Sequence, residues 1–169
     1  ILAHQEIKIL LQTAASYRGG CCAAALGMML YAGIRPHEVA RLRWAEVDLQ
    51  ERAIYISPRH SKTGGARRVT IHEPLLKILR GYQKSAACPI CPSNWGLHWR
   101  RLRQKAGWNA DTHPWPQDAL RHTFASYYLS YFRSFAELQC EIGHRDSSLL
   151  RTRYLDLRGV VEPARFWKG

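Results

Sequence analysis

The sequence predicts an α+β domain, mainly α-helical, with a small antiparallel β-hairpin or sheet. Three observations predict it. Apolar residues recur at helical spacing through most of the 169-residue chain. Two short β-rich runs, 53–57 and 68–72, flank the turn Ser61-Lys62-Thr63-Gly64-Gly65. The length suits a single domain, 1–169, with a core of its own.

The elements follow in order. Ile7, Leu10, Leu11 and Ala14 lie on one face of a first helix, His4 to Ala15. Cys21 to Tyr31 is apolar nearly all round, which predicts a central helix, with Gly33 as its left-handed stop. Pro36 suits the first position of a short helix to Arg43 and puts Arg35 at its start, where backbone amides point outward. The hairpin comes next, then a helix from Glu73 to Tyr82 and a Pro/Cys loop from Ala86 to Ser93. Asn94 to Lys105 is a basic-aromatic helix, its tryptophans expected inward and Arg100, Arg101, Arg103 and Lys105 outward, a surface suited to tracking phosphates. A loop, Gly107 to Pro116, precedes a helix from Gln117 to Tyr131. Ser134 and Glu137 form a capping box for the next helix, which ends at Gly143. A short helix, Ser147 to Leu155, and a terminal one, Val160 to Trp167, complete the chain.

Lysine and arginine total 25 against 13 acidic residues, a net charge of +12. That excess favours a polyanion, nucleic acid before anionic membrane. The longest apolar candidate, Cys21 to Ile34, contains Gly27 and Gly33 and is too short to span a bilayer. Five cysteines, an odd number, argue against a disulfide framework and for a reducing compartment. Cys88 and Cys91 have zinc-ligand spacing but no second pair of ligands, so no metal site is expected. These features together predict a cytoplasmic, nucleoid-associated protein with no membrane partner.

The chemistry concentrates between Gln117 and Tyr154, where a guanidinium (Arg121), imidazoles (His122, His144) and a phenol (Tyr154) follow one another. Arginine offers a phosphate two parallel donors, histidine a proton near neutral pH, and tyrosine an attacking oxygen. Tyrosine is a poor nucleophile at its ordinary pKa of about 10, so it needs cations around it. Such cations also offset a phosphodiester's charge, so transfer needs no cofactor, and the carboxylate cluster of a two-metal nuclease is missing from the sequence. No G-x-x-x-x-G-K-[ST] loop is present either.

Five blocks occur in a telling order: G-I-R-P-H-E-V-A-R-L-R-W, S-K-T-G-G-A-R-R-V-T-I, A-L-R-H-T-F-A-S, I-G-H and R-Y-L. They resemble the catalytic domain of the tyrosine recombinases, the phage-type integrases of mobile elements in bacteria and phages, from about residue 20 to 158. The resemblance implies the tyrosine recombinase catalytic-domain fold and site-specific DNA cleavage and rejoining through a 3′-phosphotyrosyl intermediate. By position it implies that Arg35 and Arg121 clamp the scissile phosphate. Lys62 would protonate the departing 5′ oxygen, His144 would donate to a phosphate oxygen, Glu38 would support the site, and Tyr154 would be the nucleophile.

One position departs from the pattern: Asp118 stands where the family usually has a histidine that helps accept the tyrosine proton. Asp118 could serve as the base with altered pH dependence, which the five intact positions favour, or catalysis is weakened; His122 and His113 are the nearby substitutes. The implied partners are double-stranded DNA and other recombinase subunits in a synaptic tetramer, the isolated domain being monomeric. Only about 20 residues precede the first block, so the chain reads as the catalytic half of an integrase, without the N-terminal core-binding domain. Two alternatives stay open, a DNA-binding module of this fold with weakened catalysis and a type IB topoisomerase-like strand transferase.

Overall fold

Helix α2 (Ala23–Tyr31) sits at the centre of the molecule because it has no polar face, and all nine of its residues are buried. The computed structural model describes residues 1–59, 65–143 and 157–168. Helix α2 packs against α1 (His4–Ser16), α4 (Glu73–Tyr82) and α6 (Ala119–Phe132). Each neighbour presents an apolar stripe, Ile7, Leu10 and Ala14 from α1 and Leu75, Leu76 and Leu79 from α4. Fully burying a leucine or methionine contributes about 1.5–3 kcal/mol relative to exposure, so this contact dominates the core. Helix α2 begins two residues later than its composition predicts. Arg18 and Gly19 take left-handed conformations (φ 47° and 66°) within a 3₁₀ segment, Tyr17–Gly20, that separates it from α1.

Helix α3 (Pro36–Val39) is one turn long rather than running to Arg43. Backbone bonds to the Pro/Cys loop draw the chain out of helix: the Trp44 amide donates to the Cys88 carbonyl (3.0 Å), and the Ile90 amide to the Leu42 carbonyl (3.0 Å).

The sheet has three antiparallel strands in the order β1 (Val47–Asp48), β2 (Ala53–Ile56) and β3 (Arg67–Thr70). The hairpin pair was legible in the sequence. Strand β1 was not, at two residues long. In the register of β2 and β3, Ile54 faces Val69, both buried, and Ile56 faces Arg67. Because side chains alternate along a strand, Arg67 shares the covered face with Val69, while Arg68 faces solvent with Tyr55.

Helices α5 (Trp95–Lys105), α6, α7 (Phe135–Ile142) and α8 (Pro163–Lys168) complete the described fold. The Ser134 hydroxyl accepts a hydrogen bond from the Glu137 amide (3.3 Å), the expected cap of α7. Among the described residues no helix is long and apolar enough to cross a membrane. The expected helix from Ser147 to Leu155 lies outside the described residues, as do Lys62, His144 and Tyr154.

Candidate active site

Arg35 and Arg121 come from elements far apart in sequence and meet at one carbonyl oxygen. Arg35 is the N-cap of α3, its direction fixed by Pro36 at the first helical position. Arg121 projects from the first turn of α6 and is 6% exposed. Its Nη1 donates to the Gly33 carbonyl (2.6 Å) and its Nη2 to the Ile142 carbonyl (2.6 Å). Arg35 Nη1 donates to that same Ile142 oxygen at 3.4 Å. Ile142 closes α7, so both guanidiniums lie at a helix C-terminus, the end that favours cations. Gly33 is required where it is. It has φ +59°, and a Cβ there would come within 2.5 Å of the Phe124 ring.

A buried carboxylate organises the cluster from behind. Glu38 is fully buried on α3 and caps its own helix by accepting from the Arg35 amide (3.0 Å). Arg67 of β3 grips it with both arms, Nη1 to Oε1 at 2.9 Å and Nη2 to Oε2 at 2.7 Å. The Arg35 guanidinium reaches the same carboxylate only at 3.5 Å. Burial pushes the Glu38 carboxyl up, but hydrogen bonding and charge from Arg67, then the Arg35 amide and guanidinium, outweigh it and hold it below the usual carboxylate range. Arg67 Nε donates to the Glu141 carbonyl (3.0 Å), and the Glu141 carboxylate accepts from the Thr70 amide (2.8 Å) and hydroxyl (2.5 Å). Strand β3 is thus fastened to the end of α7, next to the carbonyl both arginines share.

Glu38, the expected supporting residue, thus lies beside Arg35, and Arg67 is a member of this cluster that sequence reasoning passed over. A signal for it existed. Arg67 is in phase with the buried Val69, and an arginine on the covered face of a strand must find a carboxylate.

Asp118 is exposed and takes a left-handed conformation (φ 51°) as the N-cap of α6, one that aspartate tolerates better than most residues. With Arg121, Pro36 and Trp115 it lines a small cavity of about 60 Å³. His122 is half-buried on α6. His113 turns elsewhere, with Nε2 3.4 Å from Glu6 and its ring against Trp108.

On α5 the exposed cations are Arg100, Arg101 and Lys105. Arg103 is not outward as predicted. Its guanidinium lies over both the Trp99 and Trp115 rings, 5.1 and 5.4 Å from their centres, and Trp115 comes from the following loop. Burial lowers the pKa of Arg103. Cys91 donates to the Val39 carbonyl (3.6 Å) and Cys88 sits against the Ser85 hydroxyl (3.2 Å). Among the described residues no group of three or more His, Cys, Asp or Glu could hold a metal ion.

A sequence profile of the Phage integrase family matches residues 1–159. The chain belongs to the phage integrase family. A search of curated protein sequences gives no significant match. Among solved structures, this integrase-family chain is similar to XerA recombinase, at 26% identity and a TM-score of 0.70 over 90% of the chain. It spans 59% of the length of that XerA chain. It is also similar to the catalytic domain of bacteriophage HP1 integrase, at 19% identity and a TM-score of 0.71, covering 93% of this chain and 87% of that one. A lambda integrase (75–356) dimer bound to a COC′ core site matches at 20% identity and a TM-score of 0.70, over 95% of this chain and 60% of that one. The fold is therefore that of the tyrosine recombinase catalytic domain, as the sequence predicted.

Proposed function

We propose that this chain is the strand-transfer half of a site-specific DNA recombinase. It would cleave and rejoin DNA through a phosphotyrosyl bond at Tyr154. The observation that carries the reading is the convergence of Arg35 and Arg121 on the Ile142 carbonyl, which brings two cations from separate elements to one point. A phosphodiester there would find forked donors already held in place before reaction. The phenol oxygen attacks phosphorus as its proton passes to Asp118, the 5′ oxygen departs with a proton from Lys62, and the negative charge on the transferring phosphoryl falls to the arginines and His144. The later attack of a 5′ hydroxyl reverses the step, so bond energy is conserved without a nucleotide cofactor.

The exposed α5 cations Arg100, Arg101 and Lys105, with Arg103 held against the tryptophans, supply the backbone-tracking surface. Assembly with further subunits on double-stranded DNA follows from the same reading, and the chain acts where its DNA is, in the cytoplasm.

Incubating the chain with a nicked duplex that loses its 5′ fragment after cleavage tests the reading. A covalent protein–DNA adduct forms with the native chain and not with Tyr154→Phe. No adduct on any phage-type core site, with DNA binding intact, would instead favour the weakened DNA-binding module. The observation behind that second reading is Asp118, an exposed carboxylate on the same cavity as Arg121.

A further inference from the structure

Glu38 stands between two arginines and divides itself unevenly. Arg67 takes both of its oxygens at 2.9 and 2.7 Å, while the Arg35 guanidinium touches one of them at 3.5 Å. Glu38 is fully buried, so it has no recourse to water. A buried carboxylate seeks the nearest cation strongly, because an unpaired charge in the interior is costly. Without Arg67, Glu38 would be left with Arg35, through its amide and its guanidinium. The carboxylate would draw the Arg35 fork into a bidentate pair, and an arginine locked to a carboxylate has no fork to offer a phosphate.

We infer that Arg67 is a positioning residue that occupies Glu38 and so keeps Arg35 available to an anion. It acts through a second contact as well. Its Nε holds the Glu141 carbonyl at 3.0 Å, next to the Ile142 carbonyl on which Arg35 and Arg121 meet. Its side chain also lies flat on Gly143, where a Cβ would come within 3.0 Å of Arg67 Cδ. Glycine at that helix end permits both the left-handed turn (φ +63°) and this approach. Arg67 thus fixes where Arg35 points and what it points at, and it rests on the reading of Arg35 as a phosphate clamp.

The test is a double-variant cycle read by titration with inorganic phosphate, which requires no strand cleavage. Arg67→Met weakens phosphate uptake by roughly ten-fold or more, the worth of a charge-assisted contact. Adding Glu38→Gln removes the carboxylate that captures Arg35, so the double variant recovers most of the loss. Should the double variant bind as weakly as Arg67→Met, or more weakly, Arg67 merely braces the fold and the inference is overturned. If Arg67→Met does not fold, Arg67→Lys with and without Glu38→Gln carries the same comparison. One ammonium cannot hold two carboxylate oxygens in parallel, so the sign of the second substitution is unchanged. A native chain that takes up no phosphate also overturns the inference. Phosphate uptake with no covalent adduct on DNA sinks the strand-transfer reading and leaves this one standing.

Discussion

The two ends of helix α6 are built from opposite materials. At its N-terminus Arg121 is buried against backbone carbonyls, beside the Arg35–Glu38–Arg67 cluster. At its C-terminus Tyr127, Tyr128 and Phe132 form an aromatic socket with His72, Tyr31 and the Phe166–Trp167 pair of α8. The Tyr127 and Phe166 rings stack at 4.4 Å, and the Trp167 indole donates to the Tyr127 carbonyl (3.3 Å). Buried ion pairs are weak sources of stability, because desolvation consumes much of the Coulomb gain. Buried aromatic rings carry no full charge to desolvate and add favourable edge and stacking geometry. One helix therefore carries a buried cation cluster at one end and ring packing at the other.

The largest effect on stability should come from the socket. Trp167→Ala removes a side chain that is 7% exposed and leaves a cavity among rings, at a cost of about 3–5 kcal/mol in urea unfolding. Phosphate uptake by the molecules that remain folded should not change. Loss of phosphate binding below the unfolding midpoint would show that the two ends are coupled.

Arg121→Ala should give the complementary result. Adduct formation falls by roughly 10²–10³-fold, the cost of losing one preorganised donor to developing negative charge. Stability falls by about 1–3 kcal/mol, since the Gly33 and Ile142 carbonyls lose that donor. Near-normal adduct formation by this variant would remove Arg121 from the site.

Sequence alone revealed the parts of this contrast that have local signatures. Arg35 was legible from Pro36 beside it and Glu38 three residues on, and Arg121 from its place in A-L-R-H-T-F-A-S. The central α2 followed from uninterrupted apolar composition. The carbonyl cradle was not legible, because every residue has a carbonyl and only folding decides that those of Gly33 and Ile142 face the same arginine. Arg103 misled for a related reason. Its charge suggested an outward place, but it lies one turn beyond Trp99 on the same helix face, and Trp115 from the following loop packs there too. Arg67 was hidden by its setting, a basic residue beside a lysine-bearing turn where solvated charge is the ordinary expectation.

The two ends should also part company in acid, and the smallest predicted effect lies there. Burial among rings lowers His72 from its ordinary 6.5 to about 4, and its Nε2 has no hydrogen-bond partner among the described residues. A lowered histidine means that the unfolded chain takes up the proton first. Stability due to neutral His72 is therefore complete above pH 6.5 and drains away as pH falls towards 4, by no more than about 3 kcal/mol. Glu38 is depressed from 4.5, so its contribution is intact above about pH 4.5 and is lost as pH falls from there through its folded value. His72→Leu should consequently flatten the stability profile between pH 6.5 and 4.5, gaining on the native chain as the solution is acidified, and leave the steeper loss below that range in place. Urea midpoints for both chains at pH 5 and pH 7.5 decide it. A parallel displacement of the two profiles would mean that His72 titrates normally, and that the socket admits water to the imidazole.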